Sequence, residues 1–178
     1  RMVAGQLVQL TMIVGGVQLH QGLDGVLHLV HEDHSGNDIG LIGVWFEGQK
    51  YFASGLDKKE TEDKETPVLK QTKEWLDLYF AGKEPEFLPP LAPEGSEFQK
   101  KVSKILLMIP YGKTMTYGEI GRKVAEMSGK KTMSAQAVGG AVGHNPISIL
   151  IPCHRVVGTN GSLTGYAGGI EKKIGLLK

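Results

Sequence analysis

The stretch Pro89-Pro90-Leu91-Ala92-Pro93 divides the chain into two parts of different composition. It lies inside the segment from Lys83 to Gly95, which contains four prolines and shows no hydrophobic periodicity. Such a segment is typical of a linker between domains. We therefore predict that the 178 residues form two domains, residues 1–92 and residues 93–178.

The part before the linker has the pattern of a small β-sheet followed by one helix. Through about residue 56 the apolar residues are mostly β-branched or aromatic and are interrupted by glycine, as in the run from Ile39 to Gly48. Thr66 then supplies an N-cap, and Pro67 suits the first position of a helix. Both tryptophans lie among apolar residues and are predicted to be core residues, Trp45 and Trp75.

The part after the linker contains two capping-box sequences, Ser96-Glu97-Phe98-Gln99 and Thr116-Tyr117-Gly118-Glu119. The first predicts a helix through about Ile109. The second predicts a helix that stops near Gly129 and carries three apolar side chains inward, those of Ile120, Val124 and Met127.

A third helical segment, from Ser134 to Gly143, consists almost entirely of small residues. Two helices joined by a short basic turn resemble a helix-turn-helix, and a buried αα-hairpin is the alternative. The predicted fold class is α+β: an amino-terminal domain with a small β-sheet and a helix, and a mainly helical carboxy-terminal domain with a helix-turn-helix.

Charge is distributed unevenly between the two parts. Residues 1–92 hold 8 Lys and Arg against 14 Asp and Glu, a net charge of −6, whereas residues 93–178 hold 12 against 5, a net charge of +7. A basic domain suits a polyanion such as nucleic acid, although an ordinary solvated surface can show the same imbalance.

No apolar run approaches the ~18 to 20 residues of a membrane span, so we expect no membrane partner. The single cysteine excludes an internal disulfide and a multi-thiolate zinc site.

That cysteine follows the apolar run Ile147–Ile151 in the sequence Pro152-Cys153-His154-Arg155-Val156-Val157. A lone cysteine beside such a run is usually a core residue. Here His154 and Arg155 are expected to make the surroundings electropositive and to favour the reactive thiolate. Downstream, Gly165-Tyr166-Ala167-Gly168-Gly169 places one aromatic ring in a glycine-rich loop, which either holds a planar group or is simply a turn.

Four segments together resemble the O6-alkylguanine-DNA alkyltransferases, the methylated-DNA–protein-cysteine methyltransferase family. They are Ala137–Ala141, Asn145-Pro146-Ile147, Pro152–Val156 and Gly165–Gly169. The resemblance extends from about Asp38 to Lys178 and is strongest from Ser96 onward.

The resemblance implies that Cys153 takes the alkyl group from O6 of a guanine in DNA and keeps it, so that each molecule reacts once. O4-alkylthymine is a second candidate lesion. The implied catalytic residues are Cys153, His154 as a base acting through water, Tyr117 as a proton donor to the guanine ring, and Asn145 as the link between the helix-turn-helix and the active-site loop.

The resemblance also implies how the base and the DNA are held. Backbone carbonyls at Cys153 and Val156 would read the exocyclic amine, and Tyr166 would pack on the base beside Ala167 and Gly168. The small third helix would enter the minor groove while the damaged nucleotide is flipped out. The implied DNA-binding residues are Thr116, Tyr117, Ala135, Gln136, Ala137, Gly139 and Arg155.

One of these assignments, that of Arg155, has an alternative. Arg155 could contact phosphate, or it could form a buried structural ion pair.

The expected partner is double-stranded DNA containing alkylated guanine, bound by a monomer without cofactor or metal. The expected location is the cytoplasm, with the nucleoid, of a prokaryote or the nucleus of a eukaryote.

Three positions depart from the family's pattern. Gln136 stands where the family usually has an arginine, and Ala167 stands where a Ser or Thr often faces O6. The carboxylate partner of the histidine normally lies three residues beyond a Leu-Leu pair, here Leu176-Leu177, a position past Lys178.

Other functions remain open from the residues alone. A non-catalytic lesion-binding or regulatory helix-turn-helix protein is the main alternative, and a cysteine hydrolase is a second one that lacks an orienting Asn or Asp motif. Zinc binding by the amino-terminal histidines is not favoured, since no thiolate accompanies them. Those histidines are His20, His28, His31 and His34.

Overall fold

The chain divides into two compact units, Arg1–Glu94 and Gly95–Lys178. The computed structural model describes the backbone of residues 10–13, 19–20, 27–32, 38–46, 48–52, 54 and 66–178, and the side chains of residues 40–46, 48–52, 54 and 66–178.

The first unit contains a four-stranded antiparallel sheet with the strand order β1-β4-β3-β2. Its central strand β4 pairs Phe46 with Leu10 of β1 and Gly43 with Leu29 of β3. The predicted strands and hairpins of this region are therefore confirmed. The strands are β1 (Leu10–Ile13), β2 (Leu19–His20), β3 (Leu27–Glu32) and β4 (Asp38–Phe46).

One helix, α1 (Pro67–Phe80), lies against β3 and β4. It begins as the sequence predicts, with Pro67 in the first turn and the Thr66 hydroxyl accepting a hydrogen bond from the Leu69 amide at 3.4 Å. Trp45 and Trp75 are 4% and 7% exposed, which confirms both as core residues.

Part of the proline-rich segment belongs to the first unit instead of running freely as a linker. The Leu41 amide of β4 donates to the Pro90 carbonyl at 2.7 Å, and the Ala92 amide donates to the Leu41 carbonyl at 2.8 Å. Gly40 permits this approach, since a Cβ there would lie 2.9 Å from the Pro90 oxygen. Prolines cannot donate backbone hydrogen bonds, so the segment offers its carbonyls and the Ala92 amide.

The second unit is mainly helical. Helices α2 (Glu97–Leu106), α3 (Tyr117–Met127) and α4 (Ala135–Gly143) pack on one another. Both predicted capping boxes are present, at Ser96 with Gln99 and at Thr116 with Glu119.

Two details of the helix predictions are wrong. Helix α2 ends at Leu106 instead of about Ile109, because the chain tightens into a turn before Pro110. Met127, predicted to point inward, is 49% exposed at the last turn of α3, whereas Ile120 and Val124 are fully buried. Helices often fray at this position, and a side chain there no longer faces the core.

Three short elements have no counterpart in the sequence-based prediction. Strands β5 (Met115–Thr116) and β6 (Val156–Val157) pair in parallel, and α5 (Ile170–Leu177) closes the described chain. The β5–β6 pair places the start of α3 beside the residues that follow Cys153. The α+β fold class is confirmed, and none of the described helices has the length and apolar character needed to cross a membrane.

We predict that Gly43→Ala destabilises the first unit by about 1 to 3 kcal/mol, because the added Cβ would overlap the Trp45 ring that covers this glycine. In a Trp45→Leu background the cost should largely disappear. Urea unfolding followed by tryptophan fluorescence, which comes from Trp75 alone in the Trp45→Leu background, measures both costs. Equal costs in the two backgrounds would contradict the contact between Gly43 and the ring.

Candidate active site

Cys153 lies at the start of a 3₁₀ turn, Cys153–Arg155, immediately after a buried turn that follows α4. Ile149 in that turn has a φ of 71° and is 1% exposed. A β-branched residue rarely adopts this left-handed conformation, which is held only where surrounding contacts determine it. The turn therefore reverses the chain under strain and delivers Cys153 into the interior, where it is 5% exposed.

The amide of Asn145 holds this turn together. Its Nδ2 group lies 2.9 Å from the Ile151 carbonyl, 3.1 Å from the Ile147 carbonyl and 3.0 Å from Cys153 Sγ. Its Oδ1 atom accepts a hydrogen bond from the Ile147 amide at 3.1 Å. Since only His144 separates Asn145 from α4, the same side chain connects the end of that helix to the thiol.

Burial determines the resting state of the thiol. It raises the pKa of Cys153, and this effect exceeds the opposing ones of the Asn145 amide, the Lys173 charge and the Tyr166 hydroxyl. The expectation of a resting thiolate is therefore wrong. The residue after it, His154, carries no positive charge that would favour ionisation.

His154 is fully buried and neutral. Burial, together with the positive charges of Arg155 and Lys173, lowers its pKa to about 3. A neutral imidazole has one nitrogen that can accept a proton. His154 therefore keeps a nitrogen that can accept a proton, and its low pKa makes it a weak base at rest.

Tyr117 begins α3 beside the chain that follows the thiol, because β5 pairs with β6. Its hydroxyl donates to the Thr164 carbonyl at 3.4 Å, and burial raises its pKa. The phenol therefore keeps its proton at neutral pH and can donate it. Its long hydrogen bond to Thr164 is easily exchanged for another acceptor.

The glycine-rich loop forms a turn closed by a hydrogen bond from the Gly169 amide to the Tyr166 carbonyl at 2.9 Å. Tyr166 and Ala167 are half-buried and Gly168 is buried. Val156 is buried in β6, and its carbonyl accepts a hydrogen bond at 2.6 Å from Lys173. A carbonyl oxygen has two lone pairs, so it can still accept a second donor.

Lys173 is a buried residue that the sequence reasoning missed. Its Nζ atom donates to the carbonyls of Val156 at 2.6 Å, Thr164 at 2.9 Å and Gly165 at 3.4 Å. A signal was available, because Lys173 lies on one face of α5 with Ile170 and Leu177, at helical spacing. A lysine on such an apolar stripe indicates a buried partner.

Two residues assigned to the DNA interface also have partners within the second unit. The Thr116 hydroxyl lies 2.7 Å from a carboxylate oxygen of Glu119 in the capping box. The guanidinium of Arg155 lies 5.3 Å from the centre of the Tyr111 ring, and its Nη1 group donates to the Ile109 carbonyl at 3.3 Å. These partners are a ring and a carbonyl, not the carboxylate of an ion pair, and a DNA contact by either residue stays a prediction.

The remaining DNA-interface residues lie on α4. Ala135, Gln136 and Ala137 are exposed in its first turn, and Gly139 is half-buried. Through His144 and Asn145 this helix leads directly to the turn that carries the thiol.

The described residues include no group of three or more His, Cys, Asp or Glu side chains that could hold a metal ion. The amino-terminal histidines, His20, His28, His31 and His34, have side chains outside the described residues.

Two family models match the sequence. The model described as 6-O-methylguanine DNA methyltransferase, DNA binding domain, matches residues 97–178. The model described as 6-O-methylguanine DNA methyltransferase, ribonuclease-like domain, matches residues 35–93.

Curated relatives named methylated-DNA–protein-cysteine methyltransferase are similar to this chain. The relative from Methanosarcina acetivorans is 45% identical over 137 residues, which cover 74% of this chain and 85% of the relative. The relative from Mycobacterium bovis is 50% identical over 103 residues, which cover 58% of this chain and 59% of the relative.

Solved structures show the same fold. The structure of Mycobacterium tuberculosis OGT in complex with DNA matches with a TM-score of 0.66 and 33% identity, covering 96% of this chain and 91% of that one. The structure of Mycobacterium tuberculosis O6-methylguanine methyltransferase matches with a TM-score of 0.62 and 42% identity, covering 77% of this chain and 78% of that one.

We predict that Asn145→Ala lowers the free energy of unfolding by about 2 to 4 kcal/mol, because it leaves buried carbonyls of the turn without a donor. The matched control is Asn160→Ala, an exposed asparagine whose Oδ1 atom accepts from the Ser162 amide within its own turn. It should cost about 0.5 kcal/mol. Chemical denaturation measures both variants, and similar losses would contradict a central role for Asn145.

Proposed function

Because the chain belongs to the methylated-DNA–protein-cysteine methyltransferase family, we propose that it repairs DNA by moving the alkyl group from O6 of guanine to its own Cys153. The observation that carries this proposal is the buried thiol held by the Asn145 amide at 3.0 Å, with the neutral His154 next to it. Displacement at a methyl carbon needs a soft nucleophile, and a thiolate is one. O4-alkylthymine is a second candidate substrate.

The transfer balances without a cofactor. His154 takes the proton of Cys153 through water, and the electron pair on sulfur forms the bond to the methyl carbon. The bond between that carbon and O6 breaks, and its electron pair returns to the guanine. Tyr117 donates a proton to the ring, and the proton that His154 took returns to Tyr117 through water, so the products are unmodified guanine and S-methylcysteine.

The surroundings of two residues support this order of events. The raised pKa of Cys153 keeps the thiol protonated until a base acts on it. The raised pKa of Tyr117 keeps the phenol available as an acid. The carbon–sulfur bond of the thioether product is not readily broken, and we propose that each molecule therefore reacts once.

We propose that the flipped guanine lies between the Tyr166 loop, with Ala167 and Gly168, and the backbone carbonyls of Cys153 and Val156. Ala167 has no hydroxyl, so this position offers O6 only its backbone amide. This assignment rests on the match of these positions to the family's motif and on the half-buried placement of Tyr166.

We propose that α4 enters the minor groove of duplex DNA. Gly139, Gly140 and Gly143 support this, since a Cβ at any of them would meet no heavy atom of the described residues within 4 Å, apart from its chain neighbours and the nearby backbone of α4. Glycine within a helix costs about 1 kcal/mol relative to alanine. Packing inside the described part of the chain does not explain three such residues, whereas close approach of another molecule does.

We propose a division of labour between the domains predicted at residues 1–92 and 93–178. The second carries a net charge of +7 and every group of the candidate site, which supports DNA binding and alkyl acceptance there. The first, with a net charge of −6, has a structural role. All groups of the candidate site come from one chain, which supports a monomer. The protein would act in the compartment that contains the DNA, the cytoplasm of a prokaryote or the nucleus of a eukaryote.

The non-catalytic lesion-binding alternative is not favoured. It needs no nucleophile, whereas here a buried turn, an amide and a lysine all surround Cys153. The hydrolase alternative is not favoured either, since both matching family models are described as 6-O-methylguanine DNA methyltransferase.

We predict that the protein gains the mass of one methyl group after incubation with DNA containing O6-methylguanine, on the peptide that contains Cys153. Cys153→Ala should lose all transfer yet still bind the DNA, because the α4 surface is unchanged. Intact-protein and peptide mass spectrometry measure the transfer, and a gel-shift titration measures binding. Continued turnover beyond one methyl group per molecule, or transfer by the alanine variant, would disprove the mechanism.

We predict that Gln136 assists base flipping by filling the space that the extruded nucleotide leaves. On duplex DNA the single-turnover rate should be about tenfold lower for Gln136→Ala, because extrusion costs a few kcal/mol of stacking and pairing. Gln136→Arg should match or exceed the wild type, since arginine adds charge for the negative groove. On single-stranded DNA the three rates should converge. Equal rates on duplex DNA would exclude this role for the side chain.

A further inference from the structure

The ammonium group of Lys173 is buried and fully hydrogen-bonded. Its side chain is 0% exposed, and its three donors reach three backbone carbonyls, those of Val156, Thr164 and Gly165, at 2.6, 2.9 and 3.4 Å. An unpaired buried charge would be strongly unfavourable, so the carbonyl dipoles must compensate for its burial. A methyl-terminated side chain of the same length would fill the space without that cost.

The carbonyls bound by Lys173 belong to two separate stretches of backbone. Val156 lies in β6, directly after the 3₁₀ turn that carries the thiol, and Thr164 and Gly165 directly precede Tyr166. The chain between them, from 158 to 163, is largely exposed and is closed on itself by the hydrogen bond from the Gly158 amide to the Ser162 carbonyl at 2.8 Å. Lys173 therefore ties together the two ends of an exposed loop.

Lys173 also acts on the thiol. Its positive charge lowers the pKa of Cys153, and the thiol in turn raises the pKa of Lys173, although burial is the larger influence on both groups and acts in the opposite direction. Two uncharged groups, the Asn145 amide and the Tyr166 hydroxyl, act on the thiol in the same sense as the lysine.

The other titratable groups near this pair do not replace the charge. Tyr117, on α3, is neutral, and His154, on the 3₁₀ turn, is neutral with a pKa of about 3. Arg155 is directed at the Tyr111 ring and the Ile109 carbonyl. On α5 itself, Glu171 is exposed.

We propose that Lys173 is a positioning residue for the alkyl transfer: its ammonium group fixes both backbone stretches of the base pocket and balances the negative charge that forms on Sγ when the proton leaves. The proposal rests on the proposed function of Cys153. It differs from a purely structural role, in which the lysine only attaches α5 and leaves the ionisation of the thiol unchanged.

The test compares Lys173→Met, which removes the charge at similar length, with Lys173→Arg, which keeps it. The control is Lys172→Met, the neighbouring lysine on the same helix. Two properties are measured on the full chain: the pH profile of Cys153 modification by iodoacetamide without DNA, and the single-turnover rate of methyl transfer from duplex O6-methylguanine DNA. Circular dichroism melts verify that each variant is folded.

We expect the midpoint of the pH profile to rise in Lys173→Met, because a neutral side chain no longer stabilises the thiolate. A rise of one unit in the pKa of Cys153 lowers the thiolate fraction at neutral pH about tenfold. The rate of methyl transfer should fall in proportion to that fraction. Lys173→Arg should keep a midpoint near that of the wild type but transfer more slowly, because a planar guanidinium cannot place its donors on the same three carbonyls. Lys172→Met should match the wild type in both measurements.

A folded Lys173→Met with the wild-type midpoint would overturn the proposal. If that variant does not fold, Lys173→Arg decides: an unchanged midpoint with slower transfer supports the proposal, and a wild-type transfer rate overturns it. A wild-type protein that transfers no methyl group would instead refute the proposed function. The iodoacetamide profiles would still test whether the charge of Lys173 stabilises the Cys153 thiolate.

Discussion

A single buried amide, that of Asn145, determines the arrangement around Cys153. Its two hydrogens serve three acceptors, two carbonyls of the strained turn and the thiol sulfur, and its oxygen accepts from the same turn. The left-handed conformation of Ile149 is unfavourable on its own, so the turn needs these contacts to persist. The helix α4, the turn and the nucleophile consequently behave as one connected piece.

The site keeps its nucleophile unreactive until a base acts on it. Burial makes the protonated thiol the stable form, and the neutral imidazole of His154 removes the usual means of forming a thiolate at rest. A resting thiol reacts slowly with stray electrophiles, and this matters for a protein whose sequence holds one cysteine.

Local signals predicted the helix starts, because a capping box depends on residues three apart in the sequence. Ser96 with Gln99 and Thr116 with Glu119 both form as predicted. The sequence could not predict that β5 and β6 pair, since two-residue strands carry no periodicity. Nor did it predict the protonated thiol, because adjacent residues such as His154 and Arg155 indicate charge, whereas burial depends on the whole fold. Lys173 was missed for the same reason, since its partners lie 8 to 17 positions away.

Apart from the Cys153 sulfur, the acceptors that Asn145 and Lys173 hold are backbone atoms: the carbonyls of Ile147, Ile151, Val156, Thr164 and Gly165. Every residue has a carbonyl, so the side chains at these five positions can change without removing an acceptor. The two anchoring side chains have no such freedom, since few residues offer the same donors at the same reach. A saturation library across this region should therefore accept similar apolar residues at the buried Ile147, Ile151 and Val156 and a wider range at the exposed Thr164, while exchanges at the two anchors cost stability. During evolution, the side chains at the carbonyl positions would therefore change sooner than Asn145 and Lys173, which hold the backbone of this pocket.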